Sequence, residues 1–171
     1  AVALKNGQAQ TRSYPATFRG NFSTSGYEFF ESLKLSERAE QIGKEAVQSL
    51  EAEKCPSKST DLIIKGGQLQ LQVHESCGHP TELDRALGME ADYAGTSFLT
   101  PNRLGKFKYG SKLVNIVADA TVPGGLGTFG YDDEGTPAKR VYLIKDGTFL
   151  GYQSSRETAS MVNLKESSGG M

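Results

Sequence analysis

The sequence contains no tryptophan, only two cysteines and only two histidines. Cys55 and Cys77 stand far apart and outside any CxxC pair, so they form no disulfide framework, and we expect a reducing, cytoplasmic setting. Both histidines belong to one short segment, which leaves none for a separate Ser-His-Asp arrangement.

Long apolar runs and an excess of one charge are also missing. No apolar run approaches the 18 residues of a membrane span, and the first ten residues lack the apolar core of a signal peptide. The net charge is -1 without a basic block, so we expect no nucleic-acid partner and no binding to an anionic membrane.

Glycine, by contrast, is abundant. The 171 residues include 20 glycines and are 37% hydrophobic, which fits one globular domain with many turns and a substantial β content. The first residue is not Met, and residues 166–171 form no obvious closing element. We therefore expect residues 1–171 to be a single piece of a longer protein.

The first half of the sequence predicts short strands and one long helix. Residues 1–24 favour one or two short strands, and residues 27–34 add a turn of helix. Apolar residues three and four apart from Leu35 to Leu50 predict an amphipathic helix with Ser36 as its N-cap. The apolar run Asp61–Lys65, closed by two glycines, predicts a buried strand.

The second half predicts a hairpin and a final helix. Residues 113–122 favour a strand, and Asp146-Gly147 between two apolar runs is a strong hairpin signal. Residues 154–164 predict a helix capped by Ser154 or Ser155. The fold class expected is α+β, with a mixed or antiparallel sheet.

The segment from His74 to His79 has the pattern HExxxH, one residue longer than the zinc motif HExxH. Two neutral imidazoles can hold Zn2+, but residues five apart on an α-helix lie about 140° apart around its axis. Either a π-bulge corrects this angle or the helix ends early. Because glycine permits a left-handed turn and proline often follows one, we predict a helix end near Cys77 or Gly78, with His79 turned back toward the metal.

Glu75 lies beside the first imidazole and is expected to be a general base rather than a ligand. A catalytic zinc needs three protein ligands and one open position. Cys77, Glu82 and Asp84 are candidates for the third ligand, which can also lie outside these residues. Zinc suits such donors, although iron or cobalt can replace it.

A glycine-rich stretch, residues 125–130, matches GxGxxG and follows a predicted strand. The acidic, proline-containing residues 131–137 follow it where a dinucleotide site needs a helix, so we interpret it as a glycine loop. The acidic triplet 132–134 lacks the alternating spacing of a calcium loop.

Two separated motifs together resemble one family. Residues 73–85, VHESCGHPTELDR, resemble the metal motif of the TldD subfamily of TldD/PmbA metallopeptidases. Residues 117–159 resemble the glycine-rich and DDEGTP block of the same family, in the same order and at a similar spacing. The resemblance extends over about residues 35–171.

This resemblance implies the roles of the motif residues. His74 and His79 correspond to zinc ligands and Glu75 to the catalytic glutamate, and the third ligand is a downstream Cys in a part that this chain does not contain. The segment is expected to be helical, so we predict helix for residues 68–73, although Leu69, Leu71 and Val73 alternate with glutamines as in a strand.

The resemblance also implies an activity and partners. Residues 1–171 are expected to be the central fragment of a two-part zinc metallopeptidase that hydrolyses unfolded or modified peptides in the cytoplasm. It is expected to act as a homodimer or with a PmbA/TldE-like paralogue. The substrate cleft is expected to be lined by Gly125, Gly127, Tyr131, Asp132, Asp133 and Glu134. The alternative is a non-catalytic fragment or dimerisation domain without bound metal.

Overall fold

A computed structural model describes residues 1–16 and 20–169 of the chain. The chain is an α+β protein that divides into two compact units, the first ending at Leu71 and the second beginning at Gln72. Within the described residues, no helix combines the length and the apolar character needed to cross a bilayer.

The first unit combines a hairpin with helices. Its elements are β1 (Val2–Lys5), β2 (Gln8–Thr11), α1 (Tyr27–Ser32) and α2 (Leu35–Ser49). The two strands pair antiparallel, and among the described residues of this unit the buried apolar ones are Ala3 of β1 and Ala46 of α2. The short strands and the amphipathic helix predicted from the sequence are confirmed.

Two expectations for this unit are wrong. Helix α2 begins at Leu35 after Lys34, whose φ is 50°, so Ser36 lies inside the helix and is not its N-cap. Residues 61–65 form no strand, and Ile63 is 95% exposed. An apolar run becomes a buried strand only when a neighbouring strand pairs with it and a packed layer covers it, and no strand of the described residues pairs with this segment.

Helix α3 (Gly66–Val73) runs across the boundary between the units and continues into the second one. The elements that follow it are a π-helical turn (His74–Gly78), a 3₁₀ turn (His79–Thr81), α4 (Leu83–Ala86), a 3₁₀ turn (Pro101–Arg103), β3 (Ile116–Asp119), β4 (Arg140–Lys145), β5 (Thr148–Phe149) and α5 (Arg156–Met161). The predicted helical state of residues 68–73 is confirmed.

The three strands of the second unit form an antiparallel sheet in the order β3-β4-β5. Asp146 and Gly147 join β4 to β5 with φ values of 48° and 71°, the two positive angles of a type I′ turn. This confirms the predicted hairpin. Strand β3 is shorter than the predicted 113–122, because only its centre pairs with β4.

The core of the second unit lies between α4, the hairpin and the segment before the sheet. Leu83, Leu99, Phe149 and Tyr152 are buried there and form one packed cluster. Ser155, one of the two predicted caps, caps α5, and it forms a capping box with Thr158. Burying an aliphatic or aromatic side chain contributes roughly 1.5–3 kcal/mol. This core therefore anchors Leu83, which follows His79 by four residues.

Candidate metal centre

The HExxxH segment forms a π-helical turn at the end of α3, His74–Gly78. The amide of His79 donates to the carbonyl oxygen of His74, so the i to i+5 bond of the π-turn joins the two histidines themselves. Their rings lie edge to face with centroids 4.4 Å apart. The π-turn thus accommodates the extra residue of HExxxH and brings both imidazoles to one side.

The left-handed turn expected at Gly78 does not form, although the π-turn ends at that residue as predicted. Gly78 has φ -60° and ψ -72°, which is right-handed, and the chain continues into the 3₁₀ turn His79–Thr81 before Glu82 becomes extended. The other possibility left open by the sequence, a π-bulge, is the one observed. A wider right-handed turn aligns the side chains without reversing the backbone.

Three donor groups converge at this turn. One ligand atom from each of His74, Glu75 and His79 lies within 4.8 Å of the other two, and Nε2 of His74 is 3.9 Å from Oε1 of Glu75. The side chains of His74 and Glu75 are each 59% exposed, whereas that of His79 is 32% exposed. The cluster therefore opens to solvent on the side of His74 and Glu75.

Glu82 fixes the orientation of the second imidazole. Its Oε1 lies 2.8 Å from Nδ1 of His79, and its Oε2 lies 3.1 Å from Nε of Arg85. The Arg85 N–H is not aimed at that oxygen, so this contact is an ion pair rather than an aligned hydrogen bond. We assign the His79 proton to Nδ1 from the carboxylate acceptor, which leaves the Nε2 lone pair for a metal.

None of the three in-chain candidates for a third ligand joins the cluster of described donor residues. Both oxygens of Glu82 already contact His79 and Arg85. Asp84 accepts a hydrogen bond from the Arg85 amide. Cys77 is buried, which raises the pKa of its thiol, and it donates to the Tyr109 hydroxyl.

Three side chains that the sequence analysis did not identify bind the carbonyl oxygens of residues 76–78. Tyr109 donates to the Ser76 oxygen. Thr81 Oγ1 lies 2.7 Å from the Cys77 oxygen and 2.9 Å from the Gly78 oxygen. Gln153 Nε2 donates to the Gly78 oxygen at 2.9 Å. These groups satisfy carbonyls that the end of a helix leaves without partners.

One local signal for these contacts is present in the sequence. Pro80 has no N–H, so the carbonyl four residues before it, that of Ser76, lacks its α-helical donor and needs another. The identity of the donor cannot be predicted locally, since Tyr109 is 33 residues away.

The glycine loop expected to line the cleft has an irregular backbone. A Cβ atom on Gly125 would lie 2.8 Å from Thr128 Oγ1, whereas one on Gly127 would meet open space. Gly127 and Gln153 line the same cavity of about 240 Å³. No helix forms between residues 120 and 139, so the helix required for a nucleotide site is missing from this described range.

The acidic residues after the glycine loop shape their own turn. Asp132 Oδ1 accepts hydrogen bonds from the amides of Glu134 and Thr136 at 3.0 and 2.7 Å. Glu134 Oε2 accepts from the Arg156 amide at the start of α5. Tyr131 and Asp133 are exposed. These hydrogen bonds of Asp132 and Glu134 join the loop to itself and to α5. The metal-ligand cluster of His74, Glu75 and His79 includes neither residue.

Comparison with known proteins identifies the family. The family described as PmbA/TldA metallopeptidase C-terminal domain matches residues 57–171. A metalloprotease of Methanocaldococcus jannaschii is 30% identical over 99% of this chain and 34% of its own length. A Synechocystis metalloprotease is 34% identical over 84% of this chain and 29% of its own length. The chain belongs to the PmbA/TldD metallopeptidase family, which confirms the resemblance noted above.

Two further similar proteins are named TldD homolog and TldE. The metalloprotease TldD homolog of Haemophilus influenzae is 30% identical over 83% of this chain and 29% of its own length. The crystal structure of TldE from Thermococcus kodakarensis is similar over 53% of this chain and 19% of the TldE chain, with 24% sequence identity and a TM-score of 0.42. The chain spans about a third of the length of the curated relatives that it matches.

Proposed function

We propose that residues 1–171 are the central part of a TldD-type metallopeptidase and supply most of its active centre. The observation that carries this proposal is the π-turn, which brings the rings of His74 and His79 to 4.4 Å beside the Glu75 carboxylate. Membership of a metallopeptidase family and relatives named metalloproteases support it.

The donor set fits zinc. His74 and His79 offer imidazole nitrogens, and Glu82 holds His79 in the tautomer that leaves Nε2 available. When bound there, zinc supplies a Lewis acid that polarises the peptide carbonyl and acidifies a water molecule. A catalytic zinc needs three protein ligands, and the two imidazoles supply two of them. We propose that the third ligand is a Cys outside this chain.

Glu75 is proposed to transfer the proton during peptide hydrolysis. Its carboxylate is 59% exposed and shares the cluster with both imidazoles, so a water molecule can reach it. Glu75 accepts a proton as the water oxygen bonds to the carbonyl carbon. It then returns that proton to the amide nitrogen as the C–N bond breaks, which leaves a carboxylic acid and an amine.

The substrate is proposed to be an unfolded or modified peptide. We propose that the loop bearing Gly125, Gly127 and residues 131–134 lines the cleft. The exposed Tyr131 ring and the cavity beside Gly127 support this assignment, and Gln153 connects that cavity to the Gly78 carbonyl. Asp132 and Glu134 would act there by holding the loop in shape.

Family membership supports our proposal on the partner. We propose that the complete protein forms a homodimer or pairs with a PmbA/TldE-like paralogue. A cytoplasmic location fits the two cysteines, which are both free, one exposed and one buried.

Glu75→Gln in the complete natural protein tests the proposed role of the carboxylate. We expect zinc content to stay near that of wild type and cleavage of an unfolded peptide to fall by about 10²–10⁴-fold, the usual contribution of a general base. Glu53→Gln, which removes another exposed carboxylate, is the control and should change neither.

Two results would contradict the proposed role. Cleavage at the wild-type rate in Glu75→Gln would remove Glu75 from the reaction. Loss of zinc together with activity would make Glu75 a ligand rather than a base. A wild-type protein that binds no metal and cleaves no peptide would favour the non-catalytic alternative.

A further inference from the structure

We propose that Tyr109 and Gln153 are positioning residues that hold the π-turn in the shape that aligns His74 with His79. This inference rests on the proposed function, because it concerns the same two imidazoles. Neither residue belongs to the motif, yet each donates a hydrogen bond to a carbonyl oxygen inside it.

The π-turn needs such support because its backbone is under-bonded. Pro80 gives no N–H to the Ser76 carbonyl, and a partly buried carbonyl without a donor destabilises the turn by the cost of its lost hydration. Relaxation to ordinary α-helix would place His79 about 140° around the helix axis from His74. The Tyr109 hydroxyl supplies the donor that Pro80 lacks.

Tyr109 is itself held firmly. Its amide donates to the Gly147 oxygen at 2.8 Å, and its ring lies 6.2 Å from that of Phe107 and 6.3 Å from that of Phe98, centroid to centroid. The Cys77 thiol donates to the same hydroxyl at 3.2 Å, which leaves the hydroxyl proton for Ser76. The turn of the β4–β5 hairpin thus fixes a donor against the metal motif.

Gln153 contacts the end of the π-turn and the residues after it through both its side chain and its backbone. Its amide nitrogen Nε2 donates to the Gly78 oxygen, its backbone N–H donates to the Thr81 oxygen at 2.8 Å, and its backbone oxygen accepts from the Leu83 amide at 2.9 Å. The 3₁₀ turn that begins with His79 lies between these contacts. A side-chain substitution at residue 153 removes the bonds of Nε2 to the Gly78 oxygen and, at 3.3 Å, to Thr81 Oγ1, and it keeps the two backbone bonds.

The chain offers a matched control for the tyrosine. Tyr152 is buried, whereas Tyr109 is half-buried, and Tyr152 likewise donates its hydroxyl to a backbone carbonyl, that of Leu99, which lies outside the motif. Tyr109→Phe and Tyr152→Phe therefore both remove one tyrosine hydroxyl bond and keep the ring. Only the first substitution touches the π-turn.

The experiment measures Co2+ affinity by its visible absorption, and the exchange rate of the His79 amide, in the complete natural protein. We expect Tyr109→Phe to weaken Co2+ binding by up to about 10-fold, the equivalent of one lost hydrogen bond, and to speed exchange of the His79 amide. Tyr152→Phe should keep the wild-type affinity and exchange rate. Gln153→Leu should behave like Tyr109→Phe.

Wild-type affinity in Tyr109→Phe, or an equal loss in Tyr109→Phe and Tyr152→Phe, would overturn the inference. If Tyr109→Phe does not fold, Gln153→Leu decides by the same criteria. If the wild-type protein binds no Co2+, the proposed function fails, and amide exchange still decides the structural claim. Equal His79 exchange in both tyrosine variants would then overturn it, and faster exchange in Tyr109→Phe alone would support it.

Discussion

At the scale of single residues, the contact between His79 Nδ1 and Glu82 Oε1 determines which imidazole nitrogen is free. We predict that Glu82→Ala weakens zinc binding by about 10–100-fold and that Glu82→Gln weakens it less, because an amide oxygen still accepts the Nδ1 proton. Equilibrium dialysis with zinc measures the affinities.

Glu90→Gln is the control for that prediction. Glu90 lies 3.2 Å from Arg85, so it shares the cation with Glu82 but does not contact His79. It should leave zinc affinity unchanged. Equal losses in the Glu82 and Glu90 variants would show that charge around Arg85, rather than orientation of His79, sets the affinity.

A second residue-scale prediction concerns alkaline pH. Burial raises the pKa of Tyr152 to about 12, above its ordinary value near 10. Between these values the unfolded chain loses the proton while the folded chain keeps it, so the free energy of unfolding falls as pH rises from 10 to 12, by roughly 1–2 kcal/mol. Urea unfolding at stepped pH should show a smaller fall in Tyr152→Phe, and an identical fall would contradict the prediction.

At the scale of elements, the π-turn separates what the sequence could predict from what it could not. The spacing of the two histidines showed that a straight α-helix fails, and it offered two remedies. Choosing between them required the donors to residues 76–78, and two of these come from Tyr109 and Gln153. Such distant contacts leave no pattern in the local sequence.

Elements with local determinants were predicted well. The apolar stripe of α2, the Asp146-Gly147 turn and the Ser155 cap each depend on residues within a few positions. The strand predicted at residues 61–65 failed because a strand depends on a distant partner, and the described residues supply none.

The hairpin next to the site gives a prediction about an element. Gly147 has φ 71°, and a Cβ there would lie 2.3 Å from the Gly110 oxygen. Gly135 has a similar φ of 76° but open space around its Cβ position. Both changes to Ala should destabilise by about 1–2 kcal/mol through the backbone angle, and Gly147→Ala should lose at least about 2 kcal/mol more through the clash. Equal losses in thermal unfolding would refute the role of the clash.

At the scale of the whole molecule, the chain consists of two compact units, and residues 51–63 are exposed throughout. Extended, exposed backbone is where proteases cut first. We predict that limited trypsin digestion of the 171-residue chain cleaves at Lys54, Lys58 or Lys65 before Lys44 in α2 and Lys145 in β4. Earlier cleavage at either element would contradict this description, as read by mass spectrometry of the fragments.

The site also has a whole-molecule aspect. The chain covers about a third of its curated relatives, and its described donors provide two imidazoles and one carboxylate at the cluster. A catalytic zinc with Glu75 reserved as base needs one more ligand than these imidazoles supply. The complete protein is therefore the form in which affinity and activity are to be measured.

The central claim is that His74 and His79, aligned by the π-turn, bind one metal ion together. X-ray absorption spectroscopy of the zinc-loaded complete protein tests it most directly, because imidazole scattering gives the number of histidine ligands. We predict two imidazoles per zinc in the wild type and one in each of His74→Ala and His79→Ala. A wild-type spectrum without imidazole, or the same histidine count in all three proteins, would contradict the account.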